Sequence, residues 1–149
     1  MKRVFILLFF VIFFSCTANS FDKDILNFEL RLADSEMKTG LTEMDVYGSA
    51  EKFFIGDSVF LDNDHILSAD VIDWESQPKI KVKLTEEGRL LFADFTRLHL
   101  SENAAILVDQ KLVSAPRIMA SINEGTLIIV GHFNHEEAIS IAEGIVPGD

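Results

Sequence analysis

Residues 79–98, KIKVKLTEEGRLLFADFTRL, hold the pattern on which the fold reading turns. In residues 79–84, Ile80, Val82 and Leu84 alternate with Lys79, Lys81 and Lys83. Period two places the apolar set on one face of a strand and the lysines on a solvated face. Three cations in line could attract an anion, but such a row on an open sheet face ordinarily pairs with neighbouring acids. The pattern then changes. Thr85 is a good N-cap, Glu86 and Glu87 suit the positive end of a helix dipole, and Gly88, Leu91, Phe92, Phe95 and Leu98 recur near helical spacing. A strand followed at once by a capped helix, with one apolar face each, is the unit of a sheet with helices packed on it.

Working outward, residues 26–32 (LNFELRL) alternate Leu26, Phe28, Leu30 and Leu32 with polar neighbours and read as a half-buried strand. Residues 33–50 are polar, carry Gly40 and Gly48, and read as a loop. Residues 51–61 suggest two short strands and a turn at Gly56-Asp57. A turn or single helical turn over residues 62–68 leads to a strand over residues 69–74, and Gln77-Pro78 is read as punctuation. On the other side, residues 104–108 and 127–130 are continuous apolar runs, the pattern of central strands. Between them Asp109-Gln110-Lys111 predicts a hairpin into residues 112–114. The last helix starts at Asn134 with Glu137 completing a capping box, buries Ala138, Ile141, Ala142 and Ile145, and ends through Gly144 and Pro147-Gly148. The order predicts an α+β fold: a two-layer sandwich, largely antiparallel, with two helices on one face of the sheet. A ferredoxin-like or related topology is the simplest that fits.

The chain has 149 residues, about one domain's worth, with 13 Lys and Arg against 24 Asp and Glu, for a net charge of −11. Such an acidic chain repels a phosphate backbone, which argues against nucleic acid as a partner. A single cysteine excludes an intrachain disulfide framework and any cysteine-based zinc site.

That cysteine sits in a telling place. Met1-Lys2-Arg3 is followed by an unbroken apolar run over residues 4–14 and then Ser15-Cys16. The run is too short for a membrane-spanning helix, which needs about 20 residues, and matches the apolar core of a secretory signal. A small residue and a cysteine at its end resemble the lipobox of bacterial lipoproteins, although Phe13 and Phe14 stand where that family carries Leu and a small residue. The resemblance implies a signal peptide over residues 1–15, lipidation of Cys16, a tether over residues 16–24 and a folded domain over residues 25–149. The alternative is an uncleaved anchor with Cys16 an incidental thiol. Cleavage removes Lys2 and Arg3 and no acid, which moves the net charge to −13. Residues 17–24 reach roughly 30 Å at full stretch, so the domain works near the bilayer. The implied location is the cell envelope, lipid-anchored on the periplasmic face. Thr17, in place of the Asp of inner-membrane retention, favours the outer membrane.

Few residues recommend chemistry. His132 and His135, beside Glu136 and Glu137, could bind zinc, but HxxHE is not HExxH, and only the second falls on the helix. Asp62-Asn63-Asp64 resembles the start of a calcium loop, yet Leu67 and Asp73 occupy the positions of the required Gly and Glu. No nucleophile elbow or glycine-rich phosphate loop occurs. The sequence therefore predicts no enzyme, no metal and no cofactor.

A further resemblance covers most of the domain. It is carried by Phe28-Glu29-Leu30-Arg31-Leu32, Ser68-Ala69-Asp70-Val71, the alternating strand over residues 79–84, and Glu87-Gly88 with Phe92 and Thr96. It continues through Ala105-Ile106-Leu107-Val108-Asp109, Val113-Ser114-Ala115-Pro116, Gly125, Ile129, Gly131, Phe133, Glu137-Ala138 and Ala142. In this order they resemble the head of the first periplasmic domain of SecD, the accessory subunit of the bacterial protein-export channel. Gln110 stands where that family has glycine. Elementary physics gives these positions structural work: Asp109 begins a hairpin turn, Pro116 closes a strand, Gly131 lets a strand turn into the last helix, and Phe133 staples its start. SecD acts with SecF through proton flow across membrane helices, and its head is thought to contact the emerging polypeptide. No membrane-length apolar run follows the signal here, so the resemblance implies a tethered head without its own motor. Its partner would be an exported polypeptide, an export-channel component or an envelope protein. A small metal-dependent enzyme, or a small-ligand-binding lipoprotein, using His132 and His135 is the competing reading.

Overall fold

The computed structural model describes residue 21 and residues 24–74 and 77–148. The expected signal over residues 1–15, Cys16 and residues 17–20 lie outside the described residues. The order of elements is β1 (Phe28–Asp34), β2 (Thr42–Asp45), β3 (Lys52–Ile55), β4 (Leu61–Asp62), a 3-10 turn (Asn63–His65), β5 (Ile66–Trp74), β6 (Gln77–Leu84), α1 (Glu86–Leu98), β7 (Asn103–Val108), β8 (Lys111–Ser114), β9 (Thr126–Ile129) and α2 (His135–Ile145).

The α+β class is as the sequence predicts, with antiparallel strand ladders and two helices. The strands divide between two sheets instead of forming one. The larger runs β2-β3-β1-β7-β8, with β4 continuing the edge of β1 beyond β3; the smaller runs β5-β6-β9. The ends of the larger sheet meet: Val46, just past β2, bridges Leu112 of β8, and Tyr47 N–H donates to the Leu112 carbonyl at 2.7 Å. A sheet joined to itself has an inside. Ala33, Val46, Ile55, Ala105, Leu107 and Leu112 fill it as a small second core.

This geometry explains β7. Ala104, Ile106 and Val108 point into the main core, while Ala105 and Leu107 point into the second. Both faces are dry, so the strand reads as an unbroken apolar run. β1 is split in the same way: Phe28 and Leu30 face the main core, whereas Glu29, Arg31 and Ala33 share the other face. There Arg31 pairs with Glu29 at 2.6 Å beside the opening of the second core.

Local chemistry sets the helix starts. The Thr85 side chain accepts from Gly88 N–H at 3.1 Å, and Asn134 and Glu137 form a reciprocal capping box, each bond 2.9 Å. Asp62 and His65 box the 3-10 turn in the same manner, so Asp62-Asn63-Asp64 is a capped turn. At the β7–β8 hairpin Asp109 (φ 49°) and Gln110 (φ 64°) are both left-handed, which defines a type I′ turn even with Gln in the glycine position.

Several details differ from the sequence reading. The loop expected over residues 33–50 contains β2 and the end of β1, because pairing with β3 overrides weak local propensity. Gln77 and Pro78 open β6, where proline is tolerated at the strand's start. On α1 the buried set is Gly88, Phe92, Phe95 and Thr96, while Leu91 and Leu98 are exposed. Among the described residues β9 is an edge strand, not a central one, and Ile128 and Val130 are exposed. Gly144 lies inside α2, where an added Cβ would meet Leu26 Cγ at 2.6 Å. It is a close-approach glycine and does not end the helix. Phe21, placed in the tether, is fully buried in the main core.

Candidate functional site

Two depressions flank Pro116. The first is a groove of about 380 Å³ between α1, the segment that joins β8 to β9, and β9 itself. Its lining is mostly apolar: Phe92, Ile118, Met119, Ile122, Leu127 and Ile128 contribute, with Pro116 at one end. Thr96 builds it. Its hydroxyl donates back to the Phe92 carbonyl at 2.9 Å, as threonines inside helices do, and accepts Ile122 N–H at 2.9 Å. One buried hydroxyl thus fixes the joining segment against α1. The other end of that segment is tied to the start of β7: Ala104 N–H donates to Pro116 O and Ile118 N–H to Glu102 O, while Asn103 Nδ2 donates to Ala115 O at 2.8 Å. Held at both ends, the segment leaves Met119 79% exposed over the groove.

The groove opens on a free sheet edge. β9 pairs with β6 on one side, and among the described residues no strand lies on the other. Leu84 N–H donates to Gly125 O at 2.9 Å. From that bond the alternation of an antiparallel ladder turns the backbone groups of Thr126 and Ile128 outward. An apolar groove beside unpaired backbone donors and acceptors is the arrangement by which proteins take up an extended chain as an added strand.

The second depression, about 480 Å³, gathers Ser114, Ala115 and Pro116 with Gly131, His132 and Phe133. A Cβ at Gly131 would meet the Val113 carbonyl at 2.7 Å, so glycine lets the chain after β9 pass against β8. Phe133, immediately before the Asn134 cap, shares the main core with Ala138, as a hydrophobic staple requires. His132 packs on the turn at Gly48, whose missing Cβ leaves room for its Cβ at 2.8 Å. His135 faces Asp73 at 3.6 Å on the surface. The two histidines therefore have different neighbours, and among the described residues no group of three His, Cys, Asp or Glu could hold a metal ion.

The remaining motif residues fall at close approaches, turns and the groove wall. Gly88 lets α1 rest on the 3-10 turn, where a Cβ would meet His65 O at 2.7 Å. Phe92 and Thr96 form the groove's α1 wall, and Asp109 forms the hairpin turn. Sequence reasoning missed Ile118, Met119 and Ile122. Their only signal was an apolar scatter between Pro116 and Gly125, without period. Lys81 and Lys83 lie exposed on the outer face of the small sheet, Lys81 directly across from Asp70.

With this geometry in view, a family model described as SecDF, P1 head subdomain, matches residues 39–146. The chain belongs to the SecDF P1 head family. Relatives include the protein translocase subunits SecD of Dictyoglomus turgidum, 39% identical over 70 residues, and of Leptotrichia buccalis, 36% identical over 91 residues. These alignments cover 47% and 60% of this chain but only 18% and 22% of the relatives, so the chain spans about a fifth of their length. A solved structure of SecDF, a membrane component that enhances protein export, superposes with a TM-score of 0.66 at 20% identity over 82% of this chain and 62% of its own. SecDF in its super-membrane-facing form gives the same TM-score at 21% identity, covering 80% of this chain and 18% of that one. These likenesses establish the head fold. Among the described residues no helix is long and apolar enough to cross a membrane.

Proposed function

We propose that this chain is a lipid-anchored, extracytoplasmic and non-enzymatic binding module that holds an extended stretch of polypeptide along the outer edge of β9, with the apolar side chains of that stretch in the groove against α1. The observation that carries the reading is the coincidence of that groove with the unpaired edge at Thr126 and Ile128. Backbone hydrogen bonds supply sequence-independent affinity, and apolar contacts on Met119 and Ile122 tolerate many side chains, as a binder of unfolded chains requires. Membership of the SecDF head family supports an exported polypeptide or an export-channel component as the partner, with an envelope protein as the alternative. The anchor is Cys16, lipidated after cleavage of residues 1–15 and held in the cell envelope, with the outer membrane favoured by Thr17. His132 and His135 have no part in this function.

The test is photo-crosslinking in cells from Ile128 and Met119, with Glu43 on the larger sheet as the distant control position. Capture of many unrelated exported chains, or of export-channel subunits, from the first two positions alone is expected. Capture of a single fixed envelope protein would instead make the chain a dedicated partner that shares only the head fold. Equal capture from Glu43 would remove the groove from the account.

A further inference from the structure

We propose that the surface around Phe21 is the membrane-facing surface of the protein, seated on the phospholipid headgroups of the bilayer that carries it; this rests on the lipidation of Cys16 proposed above. Reach sets the orientation. Phe21 is fully buried, its ring edge-on to Tyr47 with centroids 5.1 Å apart, and Lys111 Nζ lies 4.9 Å from its centroid. A side chain packed in this way is a fixed point on the domain, so the free tether ends there and not at residue 24. Five residue steps separate Cys16 from Phe21, and at full extension they reach only about 18 Å.

A domain of this size has a radius of gyration of about 14 Å and is therefore roughly 35 Å across. The tether is about half of that. It cannot turn the domain over so that the face opposite Phe21 meets the bilayer. The structure also says what lies near and far. The hairpin turn stands beside the incoming chain, since Asp109 N–H donates to Asn27 O at 2.7 Å, and Lys111 next to it touches Phe21. β7 leaves that turn and runs from Val108 to Asn103, about 17 Å at strand rise. Glu102 is thus on the far end. The Ile118 end of the groove is fastened to the same far end through the bond from Ile118 N–H to Glu102 O. Seated on the surface around Phe21, the domain holds the mouth of the groove at Met119 away from the lipid and open to the aqueous side.

The experiment uses the full chain, purified with its lipid from membranes and reconstituted into phosphatidylcholine vesicles doped with nitroxide-headgroup lipid. A fluorophore is attached through Gln110→Cys, next to Lys111, or Ala50→Cys, three residues from Tyr47, or through Glu102→Cys at the far end; all three positions are exposed. The expected result is quenching several-fold stronger at Gln110 and Ala50 than at Glu102. A flexible insertion of about 15 residues between Asn19 and Ser20 restores reach to every face and should level the three positions. Equal or reversed quenching in the native-length chain overturns the seating and leaves the lipid anchor standing. A mass spectrum of the Cys16 peptide without acyl chains overturns the anchor, and the seating with it.

Discussion

Gly144→Ala is expected to destabilise this protein, although the same change inside an ordinary helix is favourable. Alanine exceeds glycine in helix propensity by about 1 kcal/mol, and Gly144 adopts ordinary helical geometry within α2. The new Cβ would stand 2.6 Å from Leu26 Cγ, 2.8 Å from its Cδ1 and 3.2 Å from its Cβ. Leu26 cannot swing away. It is fully buried, and its own N–H donates to the Gly144 carbonyl at 2.7 Å. Overpacking of a closed site costs about 1–3 kcal/mol. With backbone and side chain both fixed we place this case in the upper half of that range, so the net loss is about 1–2 kcal/mol. In melting temperature that is a fall of roughly 4–8 °C for a domain of this length. The decisive assay is a double-mutant cycle by denaturant unfolding. Leu26→Ala alone should cost about 2–5 kcal/mol, and in its background Gly144→Ala should turn favourable by about 0.5–1 kcal/mol, because Cγ and Cδ1, the two atoms within 3 Å, are gone and only the Cβ contact at 3.2 Å remains. A Gly144→Ala protein more stable than the parent, or a cycle without change of sign, would refute the reasoning.

Three further outcomes follow from other parts of the fold. Gln110→Gly should raise stability by about 1 kcal/mol, since Gln110 holds φ 64° in a turn that glycine enters without strain; an unchanged or lowered unfolding midpoint counts against the turn assignment. Asn63→Ala should cost about 2–4 kcal/mol by chemical denaturation, because one side chain accepts Phe28 N–H at 2.9 Å and donates to Leu26 O and Ile145 O at 2.9 and 2.8 Å. A loss below half a kcal/mol would show that water replaces it freely. The Arg89 guanidinium, bonded at 2.6 and 2.9 Å, holds the Glu86 carboxyl below the usual carboxylate range. A depressed folded pKa stabilises above the unfolded value and loses that contribution as pH falls through the folded one. Carbon-detected titration should therefore show Glu86 moving up in Arg89→Met; an unmoved midpoint contradicts the pairing.

What could be read from the sequence was what neighbours decide. The caps at Thr85 and Asn134, the boxed turn at Asp62 and the hairpin at Asp109-Gln110 are short-range hydrogen-bond chemistry, legible within four residues. Long-range pairing was less legible. β2 is four largely exposed residues, and only β3 and the bridge from Val46 to Leu112 make it part of a sheet. The apolar run in β7 suggested a covered strand without revealing that its second face is covered by its own sheet curling over. Phe21 lay behind a polar stretch that resembled a tether, and its partner Tyr47 is distant in sequence. The groove was hidden for a related reason. The sequence marks Thr96 only through the family resemblance, and nothing nearby shows that its hydroxyl positions Ile122, twenty-six residues away. The family motif marked Phe92, Thr96 and Pro116, three of the residues that line the groove, without showing that they meet.

The most direct test of the central claim is residue-resolved amide exchange of the full chain on adding an extended peptide of about eight residues with alternating apolar side chains, long enough to pair along β9. The account predicts new protection at the Thr126 and Ile128 amides, retained in Ile128→Ala with weaker affinity and abolished in Ile128→Pro, which removes the outward N–H but keeps the bonds to β6. Binding that protects neither amide, or that survives Ile128→Pro undiminished, would contradict it.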